Sequence, residues 1–222
     1  MSKSSDAVEH ALGIGYSQED LRCIPEGVVC RGCGNPIAHA ELKEGETVLD
    51  LGCGAGWDAF LAARKVGPQG KVIGIDRSAE TIAEAKRNAA KEGCLNVAFQ
   101  LGNMDQLPVG DQSFDAVVSN CVINYSPSVS ATFREVFRCL RPDGRMVVAD
   151  LVTAGPFAPE ILEDQLWGAW LARAVGKREY LSAIQNAGFR QIEVVSQTSF
   201  GMAERDERLR GKIVSLLVRA RK

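Results

Sequence analysis

Val48-Leu49-Asp50-Leu51-Gly52-Cys53-Gly54-Ala55-Gly56-Trp57-Asp58 is the most informative stretch of the chain. An apolar run carrying one acid passes into three glycines at alternate positions, then into a helical pattern. Strand, glycine turn and helix form the arrangement in which backbone N–H groups approach a nucleotide closely. Asp76 ends the next apolar run, 20 positions past Gly56. A carboxylate there can accept hydrogen bonds from ribose hydroxyls. The dinucleotide fingerprint places its third glycine one position later, where Trp57 stands. Asp50 would also repel a pyrophosphate. The same carboxylate suits a ligand carrying positive charge.

Working outward, Thr47–Leu51, Lys71–Ile75, Asn96–Leu101, Phe114–Ser119 and Arg145–Leu151 read as strands. Asp58–Val66, Ala79–Glu92 and Val129–Leu140 read as the helices between them, with Ser78 as an N-cap. Strands alternating with helices of this length imply βαβ units and a parallel sheet. The end of the chain differs. Pro159–Ala174 and Arg178–Ala187 read as helices, and Gln191–Val195 and Ile213–Ala220 as an antiparallel pair. The expected fold is α/β, a doubly wound, mainly parallel seven-stranded sheet with one antiparallel edge strand. One domain is expected over residues 1–222. It comprises an N-terminal cap (1–45), a cofactor-binding half (46–155) and acceptor-side helices with edge strands (156–222).

Lys and Arg total 26 against 28 Asp and Glu, a net charge of −2 that argues against nucleic acid as partner. No apolar run approaches the roughly 20 residues of a membrane span. The polar N-terminus has no apolar signal core, so a cytoplasmic protein is expected. Seven cysteines without a signal sequence make a disulfide framework improbable. The thiols are Cys23, Cys30, Cys33, Cys53, Cys94, Cys121 and Cys139. No resident metal is expected, and the oligomeric state is left open.

The pattern D-x-G-x-G-x-G resembles motif I of the class I methyltransferases, Rossmann-like enzymes that use S-adenosyl-L-methionine and release S-adenosyl-L-homocysteine. The resemblance implies that Asp50, Gly52, Cys53, Gly54 and Gly56 cradle the cofactor. It implies Asp76, with Arg77 beside it, at the ribose. Met104 and Asp105, in Gly102–Pro108, would stand at the adenine, and Asn120 at the methionine end.

A narrower resemblance follows from Tyr16–Leu21, Ile24–Val29, Gly32–Pro36, Leu42–Gly52 and Val117–Asn124. These segments closely resemble the arsenite methyltransferases, and Ser119-Asn120-Cys121-Val122-Ile123-Asn124 is the most specific of them. In that family thiolates hold trivalent arsenic, a soft centre. The arsenic lone pair takes the methyl group, and no general base is required. Cys33 and Cys121 match two of the family's arsenic-binding cysteines and are the expected catalytic and substrate-binding residues. A thiol reductant such as glutathione would keep the cysteines reduced and deliver the metalloid.

One departure stands out. The family's third cysteine precedes a segment matched here by Glu179-Tyr180-Leu181, and its position is occupied by Trp170. Three readings stay open. The acceptor already carries an organic group, as methylarsenite does, with Trp170 as an apolar wall. Alternatively, Cys30 supplies the third thiolate. In the third reading the acceptor is another soft metalloid or a small organic molecule.

Overall fold

The computed structural model describes residues 5–157, 159–165, 167–171 and 174–222. Seven strands form one sheet in the order β3-β2-β1-β4-β5-β7-β6. They are β1 (Thr47–Leu51), β2 (Lys71–Asp76), β3 (Val97–Leu101), β4 (Phe114–Asn120), β5 (Leu140–Thr153), β6 (Arg190–Ser199) and β7 (Ile213–Arg221). The first five pair in parallel, and β7 runs antiparallel to both β5 and β6. The reversed strand therefore inserts inside the β6 edge. β1 lies between β2 and β4, with Asp50 opposite Gly74 on β2 and Val118 on β4. At this switch of chain direction the carboxyl ends of a doubly wound sheet open a crevice.

Each face of the sheet is covered by apolar helix stripes. α4 (Trp57–Val66) and α5 (Ala79–Lys91) pack on one side, and α5 starts where Ser78 Oγ accepts from Thr81 N at 3.2 Å. On the other side α6 (Val129–Cys139) buries Phe133 and Val136, three residues apart on one face. Phe133 meets Tyr180 of α8 (Lys177–Asn186) edge to face at 5.1 Å.

Three short N-terminal helices, α1 (Ser5–Gly13), α2 (Gln18–Cys23) and α3 (Pro36–His39), belong to the cap on the α4 side of the sheet. The buried Arg145 of β5 binds the carbonyls of Ala40 and Glu41 and pairs with Glu46 at 2.6 Å, fixing the end of this cap.

The structure departs from expectation over 159–174. In place of one apolar helix, a 3-10 turn at Pro159–Glu163 precedes a four-residue helix at Gly168–Leu171. Asp164 accounts for the break. Its Oδ1 takes the Trp167 N–H at 3.2 Å while its Oδ2 binds Arg208 at 2.7 Å. A side chain that caps a new turn competes with continuing the old one. Among the described residues no helix is long and apolar enough to cross a membrane.

Candidate functional site

The glycine turn is built from its backbone outward. Gly52 N and Cys53 N both donate to Ile75 O, at 2.8 and 3.0 Å, locking the end of β1 to β2. Asp76 then ties the turn to the next helix. Its Oδ2 accepts from Gly54 N at 3.0 Å and its Oδ1 from Ser78 N at 2.9 Å. Two of the glycines have different work. At Gly54, φ is +54° and a Cβ would meet nothing within 4 Å, so the turn is open towards a ligand. At Gly56, φ is +102° and a Cβ would lie 2.7 Å from the Phe60 ring and 2.9 Å from Phe99. Gly56 serves the packing that starts α4.

A cleft of about 380 Å³ opens here, lined by Asp50, Gly52, Cys53, Gly54, Asp76 and Asn120 among others. A neighbouring pocket of about 280 Å³ includes Arg77, Gly102, Met104 and Tyr125, and shares Gly52 and Asp76 with the cleft. The expected cofactor residues thus fall on two connected spaces. Gly56 and Asp105 line neither.

The cleft is acidic. Asp50, Asp58, Asp76 and Glu84 line it, with Arg31 as the cationic side chain. Asp50 is buried, and its Oδ2 has no hydrogen-bond partner among the described residues. Burial, then the Asp58 charge, pushes its carboxyl well above the usual range. Asp58 is pushed up to about 6 by burial, against the opposing bonds from Tyr16 and Asn120. Crowded, desolvated carboxylates with one bare oxygen fit a ligand that brings an ammonium or sulfonium. Asp76 fits ribose hydroxyls.

Asn120, at the end of β4, is a strap between cap and sheet. Its Oδ1 accepts from Cys33 N at 2.9 Å. Its Nδ2 donates to Gly34 O at 2.8 Å and lies 3.0 Å from Tyr16 Oη and 3.1 Å from Asp58 Oδ2. The amide lines the cleft but is occupied by the protein itself. Tyr16 in turn donates to Asp58 Oδ1 at 2.5 Å.

That strap brings the cysteines together. Cys33 and Cys121 are 88 positions apart, yet the bond from Cys33 N to Asn120, the residue before Cys121, sets their thiols near enough to interact. Cys121 has φ +60°, in the left-handed region, with its N–H held by Ala149 O at 2.7 Å. A non-glycine residue in that region carries backbone strain that the surroundings must hold in place. The interaction with Cys121, then burial, raises the Cys33 thiol. Cys30, also buried, lies within electrostatic reach of Cys121, and burial pushes it up to about 12.

Beneath the thiols is a group that sequence reasoning missed. Asp150 on β5 is fully buried and within electrostatic reach of Cys33. Its Oδ2 accepts from Tyr180 Oη and Asn124 N, each at 3.2 Å, and its Oδ1 has no partner among the described residues. Burial pushes it up to about 7. The role of Asp58 was likewise missed, although its place in the first turn after the glycines was an available signal. Asp150 had no comparable signal. The side chain of Trp170 lies outside what the structure describes.

The sheet order, the glycine turn and the acidic crevice at the switch point define a class I methyltransferase. A family model described as a methyltransferase domain matches residues 42–188. The arsenite methyltransferase of Halobacterium salinarum is 40% identical over 216 residues, covering 94% of this chain and 55% of its own. The human arsenite methyltransferase is 32% identical over 184 residues, 78% of this chain and 49% of its own. The crystal structure of CrArsM, an arsenic(III) S-adenosylmethionine methyltransferase from Chlamydomonas reinhardtii, superposes with a TM-score of 0.73 at 30% identity. It covers 97% of this chain and 72% of that one. The chain belongs to the arsenite methyltransferase family. It spans about half the length of the curated relatives it matches.

Proposed function

We propose that this protein methylates trivalent arsenic held by Cys33 and Cys121, with methylarsenite preferred over arsenite. The single observation that carries the reading is the closeness of these two thiols, set by the bond from Cys33 N to Asn120 and with Cys121 on a strained backbone, beside an acidic cleft. S-adenosyl-L-methionine, when bound, supplies a methyl group on a sulfonium centre, which an arsenic lone pair takes without loss of a proton, leaving S-adenosyl-L-homocysteine.

The chain's own residues do the positioning. Asp50 and Asp58 would hold the cationic end, Asp76 the ribose, and Arg77 and Met104 the walls of the pocket beyond. Asn120 sets the Cys33 loop against Asp58. The raised thiol of Cys33 stays protonated until arsenic arrives. Each thiol then replaces a hydroxide on arsenic, and its proton leaves with that hydroxide as water. No separate base is needed, and orientation carries most of the rate. The transfer raises arsenic two oxidation levels, so a thiol reductant such as glutathione restores the trivalent state. We place the protein in the cytoplasm, where thiols stay reduced.

Cys30 favours a second reading of the ligand set. It is buried within reach of Cys121, so it can complete a three-thiolate site for arsenite. The test measures S-adenosyl-L-homocysteine formed with arsenite or methylarsenite, for the native protein and Cys30→Ser, Cys33→Ser and Cys121→Ser. Turnover on methylarsenite that survives Cys30→Ser and is lost in the other two supports the two-thiolate site. Arsenite turnover lost in Cys30→Ser supports the third thiolate. No turnover on either, with cofactor binding intact, sinks the arsenic reading and points to another soft metalloid or an organic acceptor.

A further inference from the structure

The Cys33 loop has a second cavity on it. A space of about 730 Å³ is lined by Cys33, His10, His39, Arg205 and Ser215, and it is distinct from the cleft that Cys121 lines. It lies between the N-terminal cap and the β6–β7 connection. His10 Nε2 sits 2.9 Å from Gly32 O, and Ser215 Oγ donates to Cys33 O at 2.6 Å. Two consecutive carbonyls of the Cys33 loop are thereby tied to the walls of this cavity. Its volume is that of a small-molecule site.

Its charge is the opposite of the cleft's. Four carboxylates and one arginine line the cleft. Among the described residues no carboxylate lines the second cavity, which presents Arg205 and two histidines. The Arg205 guanidinium has no acidic partner among the described residues, whereas Arg208, three residues on, is paired with both Asp164 and Asp206. Ser196, Thr198 and Ser199 add hydroxyl groups, and Phe200 and Met202 add apolar surface. A guanidinium beside hydroxyls and apolar walls is matched to a carboxylate on an organic body. The thiol pair stands between the two spaces, since Cys33 lines one and Cys121 the other, and Asn120 of the cleft holds the Cys33 N–H at 2.9 Å.

We propose that the second cavity seats an acidic organic group carried on the trivalent arsenic. The acceptor then reaches Cys33 from the basic side while the cleft's acids hold the cofactor. This deepens the arsenic reading above and rests on it. The acid could be joined to arsenic through carbon, as a substituent, or through sulfur, as a thiol ligand.

The experiment separates these sources. One arm compares 4-carboxyphenylarsonous acid with phenylarsonous acid. The other compares methylarsenite equilibrated with 3-mercaptopropionate or with 2-mercaptoethanol. Each is measured on the native protein, Arg205→Gln and Arg205→Lys, by S-adenosyl-L-homocysteine formation and by equilibrium dialysis of the arsenical without cofactor. The native protein should favour the acidic member of at least one pair by about tenfold, the worth of one charge-assisted contact. Arg205→Gln should bring that ratio to within about twofold, and Arg205→Lys should keep part of it. Preference in the carbon arm identifies a substituent, and in the sulfur arm a thiol ligand; either supports the proposal. No preference in either arm, or one unchanged in Arg205→Gln, overturns it. An Arg205-dependent preference in dialysis without turnover on any arsenical sinks methyl transfer to arsenic and leaves the acidic-group site standing.

Discussion

The two sides of the thiol pair handle charge in different ways. On the cleft side, carboxylates stand close together at the carboxyl ends of β1 and β2. Each oxygen of Asp76 accepts one backbone N–H, while Asp50 keeps one oxygen bare. This side holds an unmet demand for positive charge. On the β5 side, Asp150 is buried against a neutral tyrosine, and its neighbours are thiols. This side favours protons. A cation is drawn to the first, and the second keeps its thiols neutral until a soft centre displaces their hydrogens. The same residue type, aspartate, performs opposite tasks because its neighbours differ.

The sharpest way to break this comparison is to remove a thiol. Cys121→Ser and Cys33→Ser should each cut methylation of methylarsenite on the order of 100-fold or more, because the acceptor loses its position. Cofactor affinity, measured by titration calorimetry, should stay within about threefold, since the cleft's acids are untouched. A parallel loss of both would mean that the two sides are not separable.

Asp50→Asn tests the cleft from its own side. It should weaken cofactor binding on the order of 30-fold or more, the cost of removing one partner of a desolvated charge pair. The same change should raise the thermal midpoint of the ligand-free protein, because a buried, crowded carboxylate is lost. Weaker binding together with a lower midpoint would show that Asp50 is structural.

Asp150 supplies the smaller, pH-dependent contrast. Its folded value of about 7 lies above an unfolded carboxylate's. Between these values the folded state binds more protons than the unfolded one. The group's contribution to stability therefore declines as pH rises from about 4 to about 7 and is level above. A tenfold difference in proton affinity between the two states is worth about 1.4 kcal/mol, so the decline is a few kcal/mol at most. Denaturant titrations between pH 4 and pH 8 should show a steeper fall for the native protein than for Asp150→Asn. Parallel curves would remove Asp150 from the account.

The smallest effect concerns Asp58, at about 6. A cationic ligand favours its ionised form. Cofactor affinity should rise several-fold as pH climbs through about 6 and then level off, and Asp58→Asn should flatten that step. A native affinity that falls over this range would give the interaction the wrong sign.

How much of this was legible depends on distance along the chain. Asp50, the glycines and Asp76 belong to one strand–turn–helix–strand unit, so their spacing placed them on a single turn. The strap through Asn120 and the closeness of the thiols depend on a cap loop folding over the end of β4. Spacing alone says nothing about that, and Cys33 and Cys121 were singled out through family resemblance. Asp150 was hidden because it sits in an apolar strand, and its position beside Cys33 follows only once β5 lies between β4 and β7. Over 159–174 the apolar pattern was sound as a pattern. Asp164 capping Trp167, with Arg208 holding its other oxygen, cut the helix short through a partner 44 positions away.

The left-handed backbone at Cys121 bears on how such a site persists through generations. Glycine, asparagine and aspartate adopt that conformation at least cost, and none of them offers a soft ligand. Most replacements that relieve the chain here therefore discard the metalloid donor. Folding stability and chemistry pull this codon in opposite directions, so the thiol survives only where the reaction it serves keeps being needed.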